Sequence, residues 1–401
     1  MQRRKFLQSS AAALATAGAA PAIISRSWAQ SELVIGGTMS LSGAFAEVGK
    51  FEEMGAKLAI DEKGTVAGKP IRYQSIDTEG NPGRAVRRVK EAIQQDGIRH
   101  FVGATLSSTG LAIGKEVNKA GGIYTTTVGA DEVTGAECNK ATFRWSVPTY
   151  GAIQDTLRPV IERHPDAKRW YTMTPQYVFG ESLLRNAKNV FDEKGIEHVG
   201  NSYHSLDESE FSGYLTNAMG QSPDVLLLLN FGSQSTKALR QAINYGLNRN
   251  TIIVLAWSAG LEQYQSLGPE NLEGVYLGVQ YWHQDDAPAN RKLVEMVNDR
   301  HGINPGYPLG GNYQATRLIL DAAEKAGSTD PADVRAALEG MKYDGVTGPE
   351  EVRAFDHQVI KNYYLLQGKA ASEMRGEDDF ADIISTGKSF LSAENTACSL
   401  A

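Results

Sequence analysis

The chain has 401 residues, 41% hydrophobic, 22% charged and 8% aromatic, a length and composition that suit a globular protein of two or three domains and exclude collagen-like, mostly disordered and polytopic membrane chains. Its formal charge is −7, and since Arg3, Arg4, Lys5 and Arg26 face no acid in the first 29 residues, the rest carries 36 basic against 47 acidic residues. An acidic body without a basic run argues against nucleic-acid binding, which needs clustered Lys and Arg.

Residues 1–29 have the three-part layout of a secretory leader. Gln2-Arg3-Arg4-Lys5-Phe6-Leu7-Gln8 precedes an alanine-rich apolar stretch from Ala11 to Ile24, and Ser27-Trp28-Ala29 offers small residues to a peptidase. The arginine pair predicts the twin-arginine route and a periplasmic location. The apolar stretch is about 14 residues, short of the roughly 20 that a membrane anchor needs. That route often carries proteins folded around a cofactor, which keeps an exported redox enzyme as an alternative. Cys138 and Cys398 are the only cysteines. In an oxidising compartment an even pair reads as one disulfide, with two free thiols as the alternative.

From Glu32, short apolar runs alternate with helical patterns. A strand is expected at 33–37, a helix at about 47–62 with Phe51, Met54 and Leu58 on one face, and a strand at 71–76. Asn81-Pro82 supplies a capping side chain and a first-turn proline for a helix to about 96. Strands at 98–102 and 123–127 flank a helix at about 109–120. A second series follows: helix 150–163, strand 169–173, helix 177–194, strand 198–203, a buried strand at 224–230, a helix carrying Ala238, Leu239, Ala242 and Ile243, and strands at 251–256 and 275–279. Helices return at about 288–301, 309–327 and 331–339. This alternation predicts parallel sheets covered on both faces, arranged as two three-layer α/β lobes with structured crossovers. Ligands of such sheets gather at the carboxyl ends of the strands.

Chemistry-bearing motifs are sparse. The seven histidines form no H-x-x-x-H or H-E-x-x-H pattern, and neither a G-x-S-x-G elbow nor a phosphate-binding G-x-x-x-x-G-K-[ST] loop occurs. The run Gly36-Gly37-Thr38-Met39-Ser40-Leu41 lacks dinucleotide spacing. No catalytic residue, metal site or cofactor is expected. Binding signals are clearer. Leu106-Ser107-Ser108-Thr109 ends a strand and opens a helix, where free N–H groups and hydroxyls suit an anion, with simple helix capping as the alternative. The loop Thr127-Val128-Gly129-Ala130-Asp131 is expected beside it. Phe45, Phe179, Phe231, Trp257, Tyr281 and Trp282 fall after strand ends, either as a π-rich pocket or as core.

The order of several stretches over some 350 residues resembles the solute-binding receptors of branched-chain amino-acid-type ABC importers, the type I periplasmic binding proteins. The stretches are Gly37-Thr38-Met39-Ser40-Leu41-Ser42-Gly43 with Gly49, Ile76-Asp77 with Asn81-Pro82, the serine loop 106–109, Tyr177-Val178-Phe179-Gly180-Glu181 and Phe211-Ser212-Gly213-Tyr214-Leu215. The resemblance implies two Rossmann-like lobes joined by three crossovers and closing on a small molecule. One lobe would hold 31–147 and 281–349, the other 148–280 and 350–390, with a tail 391–401 tied back through Cys398. It implies carboxylate recognition at Ser107, Ser108 and Ala130 and partnership with ABC permease subunits; a monomer is the default expectation.

Departures from the leucine/isoleucine/valine-binding pattern bear on the ligand. Where such proteins place an ammonium-binding Glu, this chain has Ala256-Trp257-Ser258-Ala259-Gly260, and two aromatic hydroxyl positions are Val48 and Phe179. An unpaired buried ammonium costs several kcal/mol, so an aromatic or branched carboxylate without an α-ammonium is expected. Asp131 as substitute counter-charge keeps hydrophobic amino acids open. The candidate ligand set is Ser107, Ser108, Ala130, Asp131, Phe45, Tyr150, Phe179, Phe231, Trp257, Ser258 and Tyr281. A ligand-sensing partner of a receptor is a further alternative to transport.

Overall fold

The structure is a computed structural model and describes residues 32–400; the leader expected at 1–29 lies outside them. The first sheet has six strands in the order β2-β3-β1-β4-β5-β6. Its elements run β1 (Leu33–Thr38), α1 (Ala46–Lys63), β2 (Thr65–Val66), β3 (Lys69–Ser75), α2 (Pro82–Gln95), β4 (His100–Gly103), α3 (Ser107–Lys119), β5 (Ile123–Thr126) and β6 (Thr142–Arg144). All pairings are parallel except the β2–β3 hairpin. Asn81 caps α2 as expected, its side chain accepting from the Arg84 N–H at 3.0 Å with Pro82 in the first turn.

The chain then crosses to α4 (Thr149–Arg163), β7 (Arg169–Pro175), α5 (Val178–Lys194), β8 (Glu197–His204), α6 (Ser212–Gly220), β9 (Val225–Leu228), α7 (Ser233–Asn244), β10 (Ile252–Leu255), α8 (Leu261–Leu267) and β11 (Tyr276–Val279). It returns through α9 (Pro288–His301), α10 (Tyr307–Ala326), α11 (Pro331–Leu338) and a small antiparallel sheet of β12 (Lys342–Gly345), β13 (Gly348–Val352) and β14 (Val359–Ile360). It crosses a third time to β15 (Tyr363–Gly368) and β16 (Ala381–Gly387), which extend the second sheet antiparallel in the order β16-β15-β11-β10-β9-β7-β8. Two three-layer lobes joined by three crossovers result.

Three features depart from the sequence reading. β13 pairs with β12 and β14 with β13, and Gln358 bridges to Arg144 of the first sheet. The third crossover therefore falls between Ile360 and Tyr363 rather than at 349/350. The most enclosed face of α1 is the small-residue one with Gly49, Glu52, Gly55, Ala56 and Ala59, while Phe51 and Met54 are only half-buried. The reason is close helix packing: a Cβ on Gly55 would stand 2.0 Å from the Leu309 carbonyl oxygen of α10. The short strand β6 and the antiparallel strands β12–β16 were not anticipated. Cys138 and Cys398 form the expected disulfide.

Candidate functional site

The carboxyl ends of β1, β4 and β5 face those of β7, β9 and β10 across the crossovers, as expected for open α/β sheets. In the first sheet β1 lies between β3 and β4, so the order reverses where the loops after β1 and β4 diverge. Ser107 opens α3 at that point. The position before it, where a capping side chain would sit, is Leu106, which offers none. The Ser107 hydroxyl turns instead to the next loop and accepts from the Ala130 N–H at 3.2 Å. Simple capping is therefore not its role. The free N–H groups of the first turn of α3, half-buried Ser108 among them, and the Ala130 amide converge on one small region, a ready anion site.

Opposite lies an aromatic wall. Trp257 packs edge-to-face on Phe179 at 5.2 Å between ring centroids, and Phe231 stands 6.5 Å from Phe179. Tyr307, at the start of α10, reaches both Trp257 (6.2 Å) and Phe231 (6.4 Å), and its hydroxyl donates to the Thr127 carbonyl at 2.6 Å. Gly129 allows the lobes to meet here, since a Cβ would stand 2.5 Å from the Trp257 ring and 2.8 Å from the Phe179 ring. On the far side Phe45 and Val48 approach Gly232, whose φ of 62° suits glycine. Beyond that contact a cavity of about 190 Å³ continues between α1, α7 and α8, lined by Phe51, Glu47, Lys237, Glu262 and Pro308 among others.

The structure thus brings together Phe45, Ser107, Ser108, Ala130, Phe179, Phe231 and Trp257. The other four candidates are engaged elsewhere. The Asp131 carboxylate accepts from the Thr149 hydroxyl and the Tyr150 N–H, each at 2.8 Å, and from Asn186 at 2.6 Å. It fastens the two lobes at the first crossover. Tyr150 contributes its backbone to that junction and is half-exposed. Ser258 is fully buried, paired with the Tyr264 hydroxyl at 2.6 Å and the Gly278 carbonyl at 3.0 Å. Tyr281 is a core residue lying on Gly310 of α10. Trp282 is likewise core, beside Tyr264 and His283.

Sequence reasoning missed three charged groups behind this wall. Glu52 accepts from the Thr105 hydroxyl at 2.5 Å, and Thr105 in turn accepts from the Ser40 N–H. Burial pushes its carboxyl up to about 7, with Thr105 offsetting part of the rise. Glu262 of α8 reaches across the seam and accepts from the Gly306 N–H, at the start of α10, at 3.1 Å. Its enclosed carboxyl is also pushed up to about 7, by burial first and by Glu47 and Asp378 at a distance. Arg144 is enclosed behind the Gly129–Ala130 loop, 1% exposed. No cluster of three metal-ligating side chains occurs among the described residues, and no helix among them is long and apolar enough to cross a membrane.

A family model described as periplasmic binding protein matches residues 32–373. The chain belongs to the periplasmic binding protein family. Membership implies an exported, periplasmic solute-binding protein. The chain is 58% identical to an amino acid ABC transporter substrate-binding protein of Pseudomonas fluorescens Pf-5, whose structure matches with a TM-score of 0.89 over 92% of this chain and 99% of that one. It is 23% identical to a Leu/Ile/Val-binding protein homolog 4 of Brucella melitensis, over 90% of this chain and 88% of that protein. A solute-binding protein from Rhodopseudomonas palustris BisB5, solved with 3,4-dihydroxybenzoic acid, shares the fold at 20% identity and a TM-score of 0.82, over 92% of this chain and 100% of that one. These relatives of the binding protein are named as binders, not enzymes.

Proposed function

We propose that the protein captures a small carboxylate-bearing solute, an aromatic or branched acid, between its lobes and hands it unchanged to the permease of an ABC importer. The observation that carries this reading is the pairing of Ser107 with the Ala130 amide at the start of α3, facing the ring cluster of Phe179, Phe231 and Trp257. The first end suits a carboxylate and the second a flat or branched apolar body. Micromolar binding, about 8 kcal/mol, is within reach of a few charge-assisted hydrogen bonds and one stacked ring. The carboxylate nearest the serine loop is already engaged, Asp131 with Thr149, Tyr150 and Asn186. That favours a ligand without an ammonium. In this reading the leader takes the twin-arginine route and the mature protein works as a monomer.

A hydrophobic amino acid is the second reading, favoured by the name of the 58% identical Pseudomonas protein. The benzoate-type ligand of the Rhodopseudomonas protein favours the first. Calorimetric titration of the mature protein with benzoate, 4-hydroxybenzoate and L-leucine separates them. Micromolar binding of the aromatic acids supports the first reading; tight leucine binding with no response to either aromatic acid overturns it.

A further inference from the structure

We propose that Arg144, behind the groove and outside its wall, is the positioning residue and buried positive charge for the solute's carboxylate. The inference rests on the reading above, that the carboxylate sits at Ser107 and Ala130.

Arg144 occupies the end of β6, a three-residue strand in which a charged side chain would ordinarily face water. Here the guanidinium is enclosed. One Nη1 donates to the carbonyl oxygens of Gly129 at 3.1 Å and Ala130 at 2.5 Å, Nε donates to Gln358 Oε1 at 2.7 Å, and Nη2 donates to the Thr134 hydroxyl. In a planar trans peptide the carbonyl and the following N–H point in opposite directions. Drawing the Gly129 carbonyl toward Arg144 therefore turns the Ala130 N–H away from it, to the Ser107 side, where it is found. The same logic turns the Asp131 N–H toward Ser182, at 3.3 Å. One side chain thus sets the direction of both amides.

Every one of these acceptors is neutral. A buried cation without a bonded anion is costly, and Asp131, Asp356 and Glu132 act on it only through space, while burial holds the guanidinium down to about 10. An anion at Ser107, on the far side of the Gly129–Ala130 peptide, completes the arrangement: the peptide lies between guanidinium and carboxylate, its carbonyl bonded to one and its N–H turned to the Ser107 hydroxyl beside the other. Charge-assisted bonds of this kind are about twice as strong as neutral ones.

The test titrates wild type, Arg144→Met and Arg144→Lys with two acid–amide pairs, benzoate with benzamide and L-leucine with L-leucinamide, after thermal melting confirms that each variant is folded. Wild type is expected to prefer at least one acid over its amide by about 100-fold. Arg144→Met is expected to weaken that acid by about 30-fold and the amide by less than about threefold. Arg144→Lys, which keeps the charge but cannot span both carbonyls, is expected to lose about fivefold on the acid. Should the Met variant not fold, the Lys variant decides alone. Equal losses for acid and amide, or an unchanged acid affinity in a folded variant, overturn the role of Arg144 while the carboxylate reading stands. A wild type that prefers neither acid overturns both.

Discussion

The carboxamide of Gln280 binds both backbone groups of Val147: Oε1 accepts from the Val147 N–H at 2.8 Å and Nε2 donates to its carbonyl at 3.0 Å. The two residues belong to the first and second crossovers, so one side chain ties two hinge strands into a local ladder. Lys361 adds the third. Its ammonium donates to the Gln280 carbonyl and the Asn362 carbonyl, each at 2.7 Å, and lies 4.2 Å from the centroid of the Trp145 ring. Val147, Gln280, Lys361 and Trp145 are all enclosed. A pivot so bonded keeps the three strands in register while the lobes on either side move.

Lys361 gives the hinge a pH signature. Burial brings its pKa down to about 7 from the ordinary 10.5, against the pull of Glu350, Asp285 and Asp155 and with the push of Lys388. Between those values the unfolded chain binds more protons than the folded one, so stability from this group rises with pH from 7 toward 10.5. In Lys361→Met that contribution vanishes. Melting scans at pH 7 and 9.5 are expected to show wild type gaining at least about 2 °C more than the variant; equal gains contradict the assignment.

Glu262 acts in the opposite window. Its carboxyl, at about 7 across the closed seam, returns to the ordinary 4.5 when the lobes part and water reaches it. The closed form then binds more protons than the open form between pH 4.5 and 7, so closure weakens as pH rises through that range. Solute affinity is expected to fall by about tenfold or more from pH 5 to pH 8. In Glu262→Gln the fall is expected to be largely absent, and a variant that keeps the full slope assigns it to another group.

Gly129 has no room for a side chain. A methyl group there would meet Trp257 and Phe179 at under 3 Å, contacts that exist only with the lobes together. Gly129→Ala is expected to cost about tenfold or more in affinity while the melting temperature of the solute-free protein moves by less than about 2 °C. A loss of stability without a loss of affinity would place the strain inside one lobe.

Much of the layout was legible because strands such as 225–228 and helices such as 82–95 carry their own signals, an unbroken apolar run in one and a cap with first-turn proline in the other. β6 was illegible because three residues ending in an arginine look like surface; the groups that enclose that charge include Gln358, more than two hundred residues later. The antiparallel strands β12–β16 lack the helical spacers that mark parallel pairs. At the site, Ser107, Ala130 and the aromatic wall followed from their place after strands. Tyr307 was missed because it precedes the expected helix start at 309, although the Gly-Tyr-Pro run before an apolar periodic stretch is a helix-start signal. The partners of Asp131 and Ser258, Asn186 and Tyr264 among them, were illegible because they are set by tertiary structure.

The disulfide Cys138–Cys398 joins the loop after β5 to the tail that leaves β16. On the way the tail is held by Asp155 of α4, which accepts from the Ser389 N–H at 3.0 Å, and by Arg353, which donates to the Leu391 carbonyl at 2.7 Å. It is a fourth covalent link between the lobes, closing a loop of 260 residues. Cys138→Ser with Cys398→Ser is expected to destabilise the fold by about 2–4 kcal/mol in denaturant unfolding, and to leave solute affinity within about threefold because no ligand-facing residue moves. An affinity collapse would instead make the tail part of the closing machinery.

The most direct measurement is native mass spectrometry of the mature protein isolated from its own periplasm, followed by identification of the compound released on denaturation. One small carboxylic acid per chain, recovered chemically intact after prolonged incubation with the protein, is the predicted result. A neutral or purely cationic compound in its place, or conversion of the acid during incubation, contradicts the account.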